Sequence, residues 1–255
     1  MKTIVVMPAY NAEQTLKKTI ADIPYDYINE IILVDDASKD TTVKIAEEIG
    51  KSHERITTSE EIYNKNPNKI FLSILVHKKN TGYGGNQKDC YKEALKRGAD
   101  IIIMLHPDYQ YDPKIIKYFV EFIKQDYFDV MLGSRIRSRK EALKGGMPKY
   151  KYYANRLLTL IENLSSGRVL SDWHTGMRAY KRKVLEKINY EKFSDDFIFD
   201  TQMLFEIIKN DYSIGDIPVP VRYFKEASSI NFKRSLRYGL LTLWEVIKFL
   251  FRKKN

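Results

Sequence analysis

A chain of 255 residues is long enough for one large α/β domain with appendages, and 44% hydrophobic with 30% charged residues is the balance of a soluble globular protein. One cysteine, Cys90, excludes an internal disulfide framework and fits a reducing compartment, and no stretch offers the ~20 apolar residues of a membrane span. The net charge of +10 implies an anionic partner: nucleic acid, nucleotide phosphates or an anionic membrane surface.

Residues 2–7 read as a first buried strand, broken by Pro8-Ala9-Tyr10-Asn11. The run Ile4-Val5-Val6 is too short for the core of a signal peptide. Leu16, Ile20 and Ile23 give helical spacing over 12–23. A second strand at 31–34 ends in Asp35-Asp36-Ala37-Ser38, and Asp40 or Thr41 caps a helix reaching about Gly50. Residues 51–68 are polar and read as a loop-like insertion. The third strand, 70–76, leads into Asn80-Thr81-Gly82-Tyr83-Gly84-Gly85-Asn86 and a helix to about Arg97.

The continuous apolar run 101–105 predicts a strand buried on both faces, followed by His106-Pro107-Asp108-Tyr109-Gln110-Tyr111-Asp112-Pro113. A helix over 113–124 and a strand at 128–132 complete a regular alternation. That alternation predicts an α/β fold: an open, mostly parallel, doubly wound Rossmann-like sheet through about residue 135 with helices on both faces. Ligands of such sheets sit at the carboxyl ends of the strands. His106, Asp108, Gln110 and Asp112 would there offer oxygen and nitrogen donors to a divalent cation holding phosphates. The plainer reading is a polar turn after a core strand.

Past Gly133-Ser134-Arg135, residues 136–151 are rich in Arg, Lys and Gly and read as a mobile basic loop. Helices follow at 152–164 and 200–209, with a mixed segment at 172–180 between them. A strand at 213–221 carries Pro218 and Pro220, which suit a sheet edge. The last helix, 235–251, has Leu240, Leu241, Leu243, Trp244, Val246 and Ile247, interrupted by Glu245 and Lys248. With Lys233, Arg234, Arg237 and the basic tail 252–254 beside it, this helix fits an interfacial helix on anionic lipid. The alternative is a face packed on the core or on a second subunit.

Four motifs stand at fixed order: Pro8-Ala9-Tyr10-Asn11, the Asp35–Thr42 stretch, Asp108 with Gln110, and Thr175-Gly176-Met177-Arg178. In these the chain resembles the family 2 glycosyltransferases of GT-A fold, and among them the polyprenyl-phosphate sugar synthases such as dolichyl-phosphate mannosyltransferase. The resemblance makes 1–232 a GT-A domain and 233–255 an amphipathic helix with a basic tail. A dinucleotide-dependent dehydrogenase would want Gly-x-Gly-x-x-Gly directly after the first strand, whereas here the glycines follow the third. A nucleic-acid-binding module would want a recognition helix, zinc spacing or an RNP-type aromatic pattern, none of which is recognisable.

The resemblance implies a role for each motif. Pro8, Ala9, Tyr10 and Asn11 would line the base and ribose of a nucleoside-diphosphate sugar, with the Tyr10 ring as a stacking face. Asp35 or Asp36 would accept a hydrogen bond from the base, or else cap the next helix. Asn80, Gly82 and Gly84 would form a loop whose backbone approaches the nucleotide closely. The relatives end the central strand in Asp-x-Asp-x-Gln and hold Mn²⁺ or Mg²⁺ against the pyrophosphate. Here Asp108 and Gln110 match and His106 replaces the first Asp, beside Pro107. That departure removes a negative charge. A neutral imidazole suits Mn²⁺ better than Mg²⁺, and His106 is either a ligand or a hydrogen-bonding group for phosphate or ribose. The cation would act as a Lewis acid on the leaving nucleoside diphosphate.

For the acceptor the resemblance implies a polyprenyl phosphate attacked with inversion, needing no base but cationic clamps. Arg135 and Arg178 match such positions, with Arg156 and Arg222 as further candidates. The alternative is a glycan or other hydroxyl acceptor, which requires a general base from Asp195, Asp196 or Asp200 unless Asp200 caps its helix. The expected place is cytoplasmic, peripheral on the inner face of the plasma membrane, with a membrane-protein partner or a homo-oligomer to help hold it there.

Overall fold

The computed structural model describes residues 1–66, 68–136, 138–144, 146–222 and 232–251, leaving aside the side chains of 232 and 233. In chain order the elements are β1 (Thr3–Ala9), α1 (Leu16–Ala21), β2 (Glu30–Asp35), α2 (Thr42–Ser52), β3 (Ile56–Thr57), α3 (Glu60–Lys65), β4 (Ile70–Val76), α4 (Tyr83–Lys96) and β5 (Ile101–Met104). The chain continues through α5 (Ile116–Lys124), β6 (Val130–Ser134), α6 (Arg139–Lys144), α7 (Lys149–Ser166), β7 (Arg178–Lys181), α8 (Arg182–Lys187), α9 (Phe199–Lys209), β8 (Ile214–Pro218) and α10 (Phe232–Phe251).

Among the described residues the strands form one sheet in the order β3-β4-β2-β1-β5-β7-β6-β8. Only β7 runs against its neighbours, pairing antiparallel with β5 and β6; the other pairings are parallel. Period-two alternation divides the strand residues between two cores. Val5, Met7, Ile31, Leu33, Ile101 and Ile103 meet α1, α2 and α5 on one face. Ile4, Val6, Ile32, Val34, Ile102 and Met104 meet α4, α8 and α9 on the other. Covering both faces explains why the strand sequences are continuous apolar runs. The strand order reverses about β1, with β2 on one side and β5 on the other, which opens a crevice beyond their carboxyl ends.

Several expectations need correction. Residues 51–68 are not a plain loop: Ile56 and Thr57 add a short parallel edge strand to β4, and α3 follows, its first turn capped by the Ser59 hydroxyl accepting from the Ile62 N–H. The basic stretch 136–151 contains α6 and the first turn of α7. The mixed segment near 172–180 ends in β7, a central strand, where Arg178 meets backbone carbonyls and Asp200 and Lys181 pairs with Asp129. The strand at 214–218 does lie at the sheet edge. Helix α7 stops at Gly167, whose φ of +68° is a left-handed C-terminal cap. Helix α10 packs on α7 and α9. The Lys233 side chain and the tail at 252–255 lie outside the described residues.

Candidate active site

The carboxyl ends of β1, β2 and β5 and the chain entering β7 all reach the same rim, and a cavity of about 1070 Å³ opens there. Three walls enclose it. The first comes from Pro8 to Ala12 together with Asp36 and the 80–83 turn. The second is His106, Pro107, Asp108 and Gln110 after β5. The third combines Arg135 with the inner sides of α7 and α10.

On the first wall, Asn11 takes a left-handed φ of +51°, which asparagine tolerates better than most residues. The turn is pinned by the Asn11 N–H donating to Ser38 Oγ (2.8 Å) and the Lys39 N–H donating to Asn11 Oδ1 (2.9 Å). Tyr10 is left half exposed at the mouth of the cavity. The two aspartates after β2 part company. Asp35 is fully buried, accepts from the Ser38 N–H, and does not reach the cavity. Asp36 lines the cavity: its Oδ1 accepts from the Thr81 N–H (2.7 Å) and the Thr81 hydroxyl and pairs with His77 Nδ1, while Oδ2 takes only the Gly82 N–H at 3.1 Å. Oδ2 therefore keeps an acceptor position for a ligand.

The glycines of the 80–86 turn act differently from expectation. A Cβ on Gly82 would stand 2.6 Å from the Asp195 carbonyl oxygen, and one on Gly84 would stand 2.3 Å from that of Ser194. Their lack of a side chain lets α4 dock against the 194–195 backbone, where the Gly84 N–H donates to the Asp195 carbonyl at 2.7 Å. Gly84 does not line the cavity; Asn80 and Gly82 do. Lys88, on the same helix, ties the segment further by donating to the carbonyls of Glu191 and Phe193 and to Asp195.

On the second wall, Asp108 accepts from the Gln110 N–H at 3.0 Å through Oδ1, and Oδ2 has no donor among the described residues. Burial pushes the His106 imidazole below its usual range, against the opposing charges of Asp108 and Asp200. No group of three or more His, Cys, Asp or Glu side chains converges to hold an ion among the described residues. One carboxylate oxygen, one imidazole and the Gln110 amide oxygen, which also belongs to this wall, are a sparse donor set. It fits a divalent cation that takes its remaining ligands from phosphate oxygens and water.

Asp200 lies at the back of the cavity and is already engaged. It accepts from the Tyr83 hydroxyl at 2.7 Å and from Gln87 Nε2 at 3.4 Å, and Arg178 Nη1 stands 3.8 Å from Oδ1. Arg178, expected to clamp an acceptor phosphate, is 0% exposed and is not part of the cavity wall. Its guanidinium donates to the carbonyls of Trp173, Thr175 and Asp200. Arg156 donates to the Ser171 carbonyl, and Arg222 sits over the Tyr109 ring beside Asp112; neither reaches the cavity. Arg178 and Arg156 are taken up by backbone carbonyls, and Arg222 stands beside Asp112, which does not line the cavity.

The third wall supplies residues that the motifs did not reveal: Lys151, Asn155, His174, Arg234 and Tyr238. Arg135 forms a two-pronged pair with buried Asp172 (2.7 and 3.0 Å). Burial and the neighbouring Arg135 charge both push the Lys151 amine down. Behind this wall Glu162 of α7 stands 3.1 Å from His174 Nε2, His174 Nδ1 meets the Tyr238 hydroxyl at 2.7 Å, and that hydroxyl meets Thr201 at 3.1 Å. Tyr83 and Lys151 were within reach of the sequence, inside the glycine turn and the basic stretch. Tyr238 carried no signal, being one polar ring on an apolar helix.

The description "Glycosyl transferase family 2" matches residues 4–189. Over 248 residues the chain is 28% identical to UDP-N-acetylglucosamine–dolichyl-phosphate N-acetylglucosaminyltransferase of Methanococcus voltae, covering 95% of this chain and 96% of that one. It is 25% identical over 220 residues to the dolichyl-phosphate hexose transferase of Haloferax volcanii, covering 86% and 82%. Among solved structures, glucosyl-3-phosphoglycerate synthase of Mycobacterium tuberculosis, in complex with Mn²⁺, uridine diphosphate and glucosyl-3-phosphoglycerate, superposes with a TM-score of 0.65 at 15% identity. That match covers 98% of this chain and 80% of that one. A rim cavity at the reversal point of a mostly parallel sheet is where this architecture binds its ligands, and the family match runs from β1 past α8: the chain belongs to glycosyl transferase family 2 and has the GT-A fold.

Proposed function

We propose that the protein transfers a sugar from a nucleoside-diphosphate sugar to the phosphate of a polyprenyl phosphate, with inversion at the anomeric carbon. One observation carries the choice of acceptor. Lys151 and Arg135 stand close enough on the cavity wall for one charge to depress the pKa of the other, and Lys151 has no carboxylate to balance it among the described residues. Arg135 is already paired with Asp172, so on this wall it is the Lys151 charge, among the described residues, that is left to meet an anion in the cleft. A lipid phosphate supplies that anion and is already a nucleophile at neutral pH. The Asp200 carboxylate, taken up by Tyr83, Gln87 and Arg178, is then not needed as a base.

The chain's own residues divide the task. Tyr10 offers a ring to the base and Asp36 Oδ2 an acceptor for a base N–H. Asp108 and His106 would hold Mn²⁺ or Mg²⁺, which when bound supplies Lewis-acid stabilisation of the departing diphosphate. Arg135 and Lys151 orient the acceptor phosphate, converting an encounter between two anions into a positioned attack. The relatives named as dolichyl-phosphate sugar transferases support this acceptor class.

The outer faces of α7 and α10 support delivery from a membrane. Both helices give polar residues to the cavity and leave large apolar side chains outside: Tyr153, Leu157, Leu160 and Leu164 on α7, and Leu236, Leu240, Trp244 and Ile247 on α10. Leu157 is 59% exposed and Trp244 56%. No described helix is long and apolar enough to cross a membrane, and these faces would lie on the membrane surface and leave the lipid tail in place.

A hydroxyl acceptor has one observation in its favour. Asp196 lines the cavity, and among the described residues only its Oδ1 takes a donor, the Phe197 N–H. Tritiated sugar nucleotides, UDP-N-acetylglucosamine first, incubated with polyprenyl phosphate or with the unphosphorylated polyprenol, decide between the two. Label in the phosphorylated lipid alone is the expected result. Label in polyprenol or in a soluble glycan alone would overturn the proposal.

A further inference from the structure

His106 occupies a place where a carboxylate would be the ordinary cation ligand, and the surroundings of its ring show what it does instead. The ring is held on both sides. The Tyr83 ring stacks on it with centroids 5.3 Å apart at 20°, and Gly176 presses so close that a Cβ there would lie 2.8 Å from His106 Cδ2. The Tyr83 hydroxyl stands 3.2 Å from His106 Nε2 and donates its one proton to Asp200 Oδ2 at 2.7 Å. Asp200 is in turn fixed by Gln87 and Arg178. A phenol oxygen that has given away its proton can only accept, so Nε2 must carry the hydrogen between them. That places the lone pair of the neutral ring on Nδ1. Nδ1 has no partner among the described residues and is not one of the chain's buried unpartnered atoms, so it opens to solvent in the cavity that His106 lines.

We propose that the Asp200–Tyr83–His106 hydrogen-bond chain presents His106 Nδ1 as a nitrogen ligand to the divalent cation beside Asp108, and that this gives the protein a built-in preference for Mn²⁺ over Mg²⁺. The inference rests on the glycosyltransferase reading of the cavity and deepens it. Two facts of coordination chemistry set the direction. Imidazole nitrogen suits borderline transition metals, whereas Mg²⁺ favours oxygen and gives up its water reluctantly. A metal-bound histidine almost always donates its other N–H to a fixed acceptor that sets tautomer and ring angle, which is the arrangement of Tyr83 and Asp200 around Nε2. Asp200 and Tyr83 are thus positioning residues, acting through His106.

The test reads binding rather than turnover. Mn²⁺ is added to the full-length protein loaded with UDP, and in parallel with GDP, and the ¹⁴N modulation of the Mn²⁺ electron spin echo is recorded. Competition with Mg²⁺ gives the affinity ratio in the same samples. The wild type is expected to show directly bound nitrogen, which His106→Asp removes while lowering the Mn²⁺/Mg²⁺ affinity ratio at least about 10-fold. Tyr83→Phe keeps the stacked ring but loses the hydroxyl. It is expected to weaken Mn²⁺ about 10–100-fold and to reduce the ¹⁴N signal, with the melting temperature checking that the fold survives. A wild-type Mn²⁺–UDP complex without ¹⁴N coupling, still abolished by Asp108→Ala, overturns this inference and leaves the cavity reading intact. Absence of any nucleotide-dependent Mn²⁺ binding in the wild type overturns both.

Discussion

Asp108 is partly exposed and Asp172 is buried, and the difference decides what each can do. Asp108 keeps an open oxygen in the cavity. Asp172 is sealed, with every bond directed inward: the Arg135 guanidinium on both oxygens, Asn155 Nδ2 at 3.0 Å and the His174 N–H at 3.1 Å. Burial alone would raise its pKa, but the Arg135 charge and these hydrogen bonds together outweigh burial and hold it well below the usual carboxylate range. A depressed folded-state pKa means that its stabilisation is present above the ordinary carboxylate pKa and fades as pH falls through the folded value. We expect the melting temperature to fall as pH drops below about 4, the unfolded aspartate pKa. Asp172→Asn should lose most of that slope and cost about 3–5 kcal/mol at pH 7, because the buried carboxylate partner of Arg135 is removed. Urea unfolding midpoints across pH 3–8 check both.

At the scale of elements, the apolar strands were legible because both faces of the sheet are covered. A buried parallel strand must read as a run of Ile, Val, Leu and Met, and β1, β2, β4, β5 and β6 do. β7 was illegible for the opposite reason. Its sequence, Arg-Ala-Tyr-Lys, looks exposed, and only the tertiary partners of Arg178 and Lys181 make it a central strand. In the cavity, Asp36, His106 and Asp108 were readable from the motifs, whereas Asp35, Gly84 and Arg178 carry equally strong motif signals yet serve the scaffold. Local sequence marks a strand end; it does not mark which side chain turns toward the cleft. Gly84 shows the consequence. Glycine to alanine inside a helix ordinarily gains up to about 1 kcal/mol in propensity. Here the new methyl would meet the Ser194 carbonyl and Phe199 Cβ, at 2.3 and 2.8 Å, neither of them a flexible chain end. Overpacking of about 1–3 kcal/mol should win, so Gly84→Ala is expected to lower the melting temperature in calorimetry.

Across the whole molecule, the two helices of the third cavity wall are opposite in character inside and out. Inward, Asn155, Thr159 and Glu162 of α7 and Thr242 of α10 are buried polar residues, in a pair of helices that pack on each other. Outward, the same helices carry leucines, tyrosines and Trp244 into solvent. Replacing Leu240 and Trp244 together by Glu leaves the buried polar residues and the cavity untouched. Cosedimentation with vesicles of anionic phospholipid should be lost in that variant. Transfer to a short-chain, water-soluble isoprenyl phosphate should stay within about twofold of wild type, since exposed substitutions cost little stability. A variant that still sediments fully would show that these faces serve something other than lipid.

The cavity mouth between Tyr10 and Asp36 lies on one wall, and the α7–α10 wall with its greasy exterior on another. On the proposed function, donor and acceptor would come from different phases, one by diffusion in three dimensions and the other by lateral movement in two. Turnover should then follow the mole fraction of acceptor in the bilayer and not its amount per litre. Diluting the acceptor with inert phospholipid at fixed total acceptor should slow the reaction, the behaviour known as surface dilution, while the dependence on sugar nucleotide is unaltered.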